Sequence, residues 1–316
     1  MLNLFGNLFG RADEGHSDLP EQLVKKLIER TMDGTDPRLR IVSGYAKTLR
    51  KPVIHAAEHV IGLMDSLPQP LLLDPHDLHA SPALAAMLYS ESQARQFLSR
   101  DPALVDYRQS HPAGAPTIAL LVVQRSEKHV FGTAQVGEHT LKDVPKTTVS
   151  FSEHHLLEPA STEDDCRRGL KRRAFDHLLA VALARLSERK ETREDLGKRR
   201  ALLRSKLDVL QRGGGFAKPT AGDDRVKLQA RLAEIEEQLA AQGPADNVLE
   251  ANLDMIAEVL NQAAQHLWLE EHVLNLDQFY VLHEEATPSI RQISCRDLHN
   301  SEGEQAMLQL VQLADN

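Results

Sequence analysis

Cysteine is almost missing from this chain: Cys166 and Cys295 are the only two in 316 residues. They lie far apart and form no CxxC pair, so no disulfide framework is encoded. Two incidental thiols in a reducing compartment are the expectation. Aromatic residues are also scarce, 4% with one Trp, which suits a helix-rich chain whose core is Leu, Ile, Val and Ala. No apolar run approaches the roughly 18 residues that suggest a membrane span. The opening residues Met1 to Arg11 lack a basic leader, a long apolar core and a small-residue cleavage site, so a cytoplasmic location is expected. Basic charge is in deficit too, with 37 Lys and Arg against 46 Asp and Glu, a net charge of −9. That balance supports solubility and argues against a generally basic nucleic-acid or membrane-surface protein.

Several catalytic signatures are lacking as well. There is no Gly-x-Ser-x-Gly elbow and no dinucleotide fingerprint. The glycine-rich stretch Arg212 to Thr220 fails as a phosphate loop, because Pro219 follows Lys218 and a helical arm rather than a strand precedes the glycines.

The strongest positive signal runs from Glu163 to His266. Apolar residues recur at steps of three and four, through Phe175, Leu179, Ala182, Leu186, Leu196, Leu203, Leu207 and Leu210. The beat returns at Leu228, Leu232, Ile235, Leu239, Leu249, Leu253, Ile256, Leu260 and Ala263. A seven-residue apolar repeat keeps one seam toward a partner helix. Gly213, Gly214 and Gly215 break it, each costing about 1 kcal/mol relative to Ala in a helix. The pattern predicts an antiparallel coiled-coil hairpin with arms of roughly 40 residues, about 60 Å long. Arg189, Arg193 and Arg200 occupy seam positions where leucine is expected, a substitution that costs stability and can set register. Gly243-Pro244 predicts a joint in the second arm.

Residues 163–212 hold 15 Lys and Arg against 9 Asp and Glu. This net +6 leaves −15 on the rest of a chain whose total is −9. Arg167, Arg168, Lys171, Arg172 and Arg173 form one basic group, and Lys198, Arg199, Arg200, Arg204 and Lys206 another. One reading makes residues 167–206 a run of phosphate contacts for nucleic acid. The preferred reading pairs them with the acidic second arm, Glu234, Glu236, Glu237, Glu250 and Asp254, since base-stacking aromatics are missing there apart from Phe175.

The remainder reads as helices, then strands. From Leu19 to Gln109 prolines punctuate helices, with starts at Pro20, Asp36-Pro37 and Lys51-Pro52. Leu67 to Pro75 is extended, and further helices are expected near 81–89, 91–100 and 102–109. Strands are expected at Thr117 to Gln124, Val130 to Val136 and Lys146 to Phe151, and again at Leu267 to Leu274, Gln278 to His283 and Ile290 to Cys295. A closing helix is expected from Glu302 to Leu313.

The predicted fold is therefore α+β: an N-terminal helical layer plus a mostly antiparallel sheet, interrupted by the long coiled-coil helical hairpin. Its parts are an N-terminal peptide over 1–18, a helical layer over 19–110, a sheet body over 111–162 and 266–316, and the hairpin over 163–265.

Chemistry is harder to place. His55, Glu58 and His59 match the H-x-x-E-H spacing that sets two imidazoles one helical turn apart with a general-base Glu, the alternative reading being a zinc-dependent hydrolase. That chemistry needs a third converging ligand and an open coordination position. Glu138 falls in an expected hairpin turn, and both histidines lie on the polar side of an amphipathic helix. His76 with His79, and His154 with His155, lack the paired spacing of a structural zinc site. Cys166 has His177 and arginines nearby in sequence but no assignable dyad. The repeated Asn-Leu-Phe-Gly at 3–10 sets Leu4, Phe5, Leu8 and Phe9 on one side of a helix, a plug for a partner groove or a membrane interface. Set against that is a frayed terminus.

The expectation is a non-enzymatic interaction protein that presents its coiled-coil arm, with Arg189, Arg193 and Arg200 on the seam, to a protein partner or to itself. No cofactor or metal is expected. Nucleic acid is not the expected partner, and membrane contact is confined to the N-terminal peptide.

Overall fold

The computed structural model describes residues 19–111, 114–136, 139–212, 221–241, 247–285, 287 and 290–314. The chain forms two compact units, one of Ala57–Phe175 with Ala263–Asn316 and one of Asp18–Ala56 with Asp176–Gln262. This division runs through the N-terminal helical layer, assigning its first part to the unit that carries the arm.

The first unit is built on a sheet of strand order β3-β2-β6-β5-β4. Its members are β2 (Thr117–Val136), β3 (His139–Ala160), β4 (Leu267–Leu276), β5 (Arg291–Asn300) and β6 (Gln305–Leu313). All these pairings are antiparallel, and the short β1 (Leu71–Leu73) adds to β6 in parallel. The expected strands 117–124 and 130–136 are one continuous β2, and 146–151 lies inside β3. Three register shifts punctuate the β2–β3 ladder, and a left-handed residue accompanies each: Asp143, Glu153 and Glu158. Such bulges bend a long ribbon that would otherwise run straight.

Three short helices cover one sheet face: α3 (Pro82–Leu88), α4 (Glu91–Arg100) and α5 (Pro102–Ser110). Each starts where the sequence places a cap. Ser81, Ser90 and Asp101 accept from the backbone N–H groups of Leu84, Gln93 and Leu104, and Pro82 and Pro102 occupy first-turn positions that need no N–H partner. Their core joins Leu84, Met87 and Leu98 to Leu121, Phe151, Ile293 and Val311 of the sheet. On the other face, His59 donates to the Leu267 carbonyl at 2.7 Å. There too a Cβ on Gly169 would meet Glu158 of β3. That face therefore lies against the second half of α2 (Tyr45–Asp65) and the first turns of α6 (Glu163–Arg212), so helices cover both faces.

Two expectations are corrected here. The closing helix is strand β6. Asn300 accepts from the N–H groups of Glu302 and Glu304 and, with Gly303 at φ +84°, turns the chain into it. The apolar spacing looked helical because β6 is central and buried on both faces, which removes alternation. Gln278 to His283 is a loop with two isolated bridges, at Val281 and Leu282, rather than a full strand.

The second unit is helical. It contains α1 (Glu21–Gly34), a 3-10 turn over Pro37–Ile41, the start of α2, the outer length of α6, α7 (Ala221–Ala241) and α8 (Val248–Asn261). Leu23, Leu27, Met32, Leu49, Leu178, Leu253, Ile256 and Leu260 are buried at its root. Arg30 forms a paired hydrogen bond with Asp176. The expected restart at Lys51-Pro52 does not occur, since Pro52 lies inside α2. One lost backbone bond there is outweighed by burying Leu49, Val53, Ala56 and Ala57 along a continuous face. The glycine tip and Gly243-Pro244 fall outside the described residues.

α6 and its returning partners run antiparallel. Arg189 donates to Asn252 at 3.2 Å and Arg204 to Glu236, so moving outward along α6 means moving backward through α8 and α7. The joint expected at Gly243-Pro244 lies outside the described residues, in which α7 ends at Ala241 and α8 starts at Val248.

Candidate functional site

The arm carries the residues singled out from sequence. Arg189, Arg193 and Arg200 are each half-buried, and Leu186, Leu196 and Leu207 of the same helix are buried. Arg189 and Arg193 line a cavity of about 360 Å³ at the arm's root, with Asn252 and Val248 of α8 across from them. Farther out, coverage is thinner. Leu228, Leu232, Ile235 and Leu239 of α7 are only partly buried, and Leu202 and Val226 are 56% and 65% exposed. Leu4, Phe5, Leu8 and Phe9 lie outside the described residues.

The basic groups are not arranged as expected. Arg167 is buried and donates to the carbonyls of Met64, Leu67 and Pro68 at 2.6, 2.9 and 3.2 Å. Lys171 is buried against Asp65 at 2.7 Å. Both serve the C-terminal end of α2, where unpaired carbonyls and the helix dipole favour cations. Arg172 and Arg173 pair with Glu158 of β3. Arg204 reaches one of the named carboxylates of the second arm, Glu236.

The histidine motifs disperse. His55 is exposed, while His59 spends its Nε2 proton on Leu267, and Glu58 keeps a buried Oε1 without a partner. His154 turns to the Met87 carbonyl and His155 to that of Glu153. Among the described residues no three His, Cys, Asp or Glu side chains gather to hold a metal ion. Both cysteines are free and buried, and burial, reinforced by a nearby carboxylate, pushes each thiol up to about 12.

Sequence reasoning missed a polar cleft on the sheet. Tyr280 accepts from the Val149 N–H at 2.9 Å and Leu282 donates to Thr147 at 2.8 Å, while His283 donates to Asn275 at 2.9 Å. The loop after β4 thereby ties that edge strand to the middle of β3, and the sheet curls toward closure. Half of the concave face is filled by the apolar core beneath α3. The other half is open, with a volume of about 1240 Å³.

Strand register assembles its floor. Val123 stands beside Met307, Met307 beside Asp297, and Asp297 beside Glu270. Asp297 is 1% exposed, accepts from Arg125 at 2.7 Å and stands 3.6 Å from His272. Burial opposes the Arg125 charge, but the hydrogen bond and charge of Asp297, with Glu127, prevail and raise the guanidinium pKa. At the far end Trp268 stacks on His299 at 5.5 Å. Five carboxylates line the cleft, Glu127, Glu270, Glu271, Glu284 and Asp297, against the fixed cations Arg125 and Lys146. The arrangement offers a negative surface and an imidazole, that of His272, close to a buried carboxylate. The only thiol beneath it, Cys295, is buried and protonated.

The signal was weak for a physical reason. Arg125 lies well over a hundred residues before His272 and Asp297, and the three meet only through strand order, with no local spacing to reveal them. Comparisons of the chain with protein-family models, with curated proteins and with solved structures found no match in any of the three.

Proposed function

We propose that the protein is a non-enzymatic interaction protein that self-associates through its arm, two hairpins closing a four-helix coiled-coil bundle. The observation that carries this reading is the thin cover on α7, whose leucine edge stays partly open although α6 lies beside it. A second pair of helices removes that edge from water, at about 25 cal/mol per Å² of apolar surface. Charge selects the occupant. Residues 163–212 carry a net +6, whereas 221–241 and 248–261 hold eight Asp and Glu against three Lys and Arg. Each arm of one copy therefore meets an arm of opposite sign on the other, a self-complementary arrangement suited to a two-fold dimer. A reducing cytoplasm suits the two free thiols.

The test is Leu232→Lys in the full chain, with mass measured by light scattering. The proposal predicts a dimer for the unaltered chain and a folded monomer for the variant. A monomeric unaltered chain, or a variant that dimerises as tightly as the parent, refutes it.

A further inference from the structure

One edge of the sheet is open beside the cleft. β4 is the last strand in the order and pairs with β5 residue for residue, from Leu267 opposite Asn300 to Leu276 opposite Arg291. In an antiparallel strand the N–H and C=O of one residue point to the same side, and the side alternates along the chain. Two bonds fix which residues face out. The Asn275 carbonyl accepts from the His283 N–H at 2.9 Å, and the Leu267 carbonyl from His59 Nε2 at 2.7 Å. The odd-numbered residues of β4 therefore turn their backbone away from β5. Between the two pins stand Leu269, Glu271 and Val273, whose outward N–H and C=O groups have no partner among the described residues. The stretch is also uncovered: Glu270 and Glu271 are exposed and Val273 is 54% exposed.

An open strand edge of this kind is a template for strand addition, and proteins usually blunt it with charge. Here the charge is selective. We infer that the β4 edge takes up an extended, basic segment of a partner protein as an added strand. Side chains of such a strand alternate between faces. One set lies over the cleft beside Glu270 and His272, where carboxylates outnumber fixed cations and Arg125 is already held by Asp297 and Glu127. The other set lies beside Leu269 and Val273. The segment thus carries Lys or Arg at alternate positions with apolar residues between them. A second copy of β4 is a poor occupant, because a symmetric pairing centred on the open strip sets Glu271 against Glu271, and like charges directly opposite are destabilising.

The experiment uses the full chain and a labelled peptide alternating Lys and Val, with a Glu-Val peptide as counterpart. Binding is read by fluorescence anisotropy and backbone protection by amide hydrogen exchange. The Lys-Val peptide is expected to bind and to slow exchange at Leu269, Glu271 and Val273, leaving Glu270 and His272, which already face β5, unchanged. Glu271→Pro removes an outward N–H that β4 does not use toward β5, so the fold survives. It should weaken binding by about tenfold or more. Glu270→Lys should weaken it while keeping the edge intact. Three results overturn the inference: no binding of the Lys-Val peptide, equal binding of the Glu-Val peptide, or binding that leaves the three amides unprotected. The last would mean that the cleft holds the cations without strand pairing.

Discussion

Asp101 serves two backbone donors at once, the N–H of Leu104 at 2.9 Å and that of Leu156 at 2.9 Å. The first bond starts α5, and the second fixes the α4–α5 junction to β3. Removing the carboxylate leaves both donors buried and unpaired, so Asp101→Ala should destabilise by about 2–4 kcal/mol. Asp101→Asn keeps one acceptor and should lose less. Urea unfolding checks this, and a midpoint unmoved in the Ala variant would contradict it. The cysteines give a second expectation at this scale. With both thiols buried and pushed up to about 12, iodoacetamide at pH 8 should leave the folded chain unmodified and label both residues once it is unfolded. Rapid labelling of Cys166 in the folded protein would be inconsistent with its position. A helix near 102–109 was legible, because the signals of a helix are neighbours in sequence. The bond to Leu156 was not, and neither was the role of Arg167, because their partners are set by packing across long sequence separations.

Periodicity located α3, α4, α5 and the start of α6 to within a residue or two, because each turns one apolar side to a core. It failed at β6, where burial on both faces leaves a strand without alternation, and at Pro52, where tertiary burial overrides a local breaker. The strand expected at Gln278 to His283 is instead the loop after β4, with isolated bridges at Val281 and Leu282. Its bridges to β3 and β4 are what create the cleft. Asp277 holds that loop, accepting from the N–H groups of Phe279 and Val281 at 2.8 and 3.0 Å and facing His283 at 3.1 Å. Burial pushes its pKa up, but His283 and the two N–H groups prevail and leave it below the ordinary 3.8. A depressed carboxylate stabilises above its unfolded value, and that contribution is lost as pH falls through the folded one. Exchange at Val281 and Phe279 should therefore accelerate in acid below about pH 4, in step with protonation of this carboxylate. In Asp277→Ala the loop should exchange fast at every pH. An acid response that persists in the variant would assign the effect elsewhere.

At the scale of the molecule the charge is divided rather than spread: a basic first arm, an acidic return and an acidic remainder. The sequence alone made the hairpin and its sign asymmetry visible, since both are properties of contiguous residues. It could not reveal how completely α6 covers α7, which depends on three-dimensional packing and leaves Leu228, Leu232, Ile235 and Leu239 partly open. No helix among the described residues is long and apolar enough to cross a membrane. Under the proposed self-association, the partly open leucine edge of α7 and the opposite charges of the two arms make another copy of the same arm the fitting occupant. Sedimentation equilibrium of the unaltered chain over a range of concentrations tests this most directly. The account predicts a mass that rises toward twice 35.2 kDa, with association weakened by salt because part of it is charge pairing between exposed groups. A mass that stays at that of one chain at every concentration and salt level would contradict it.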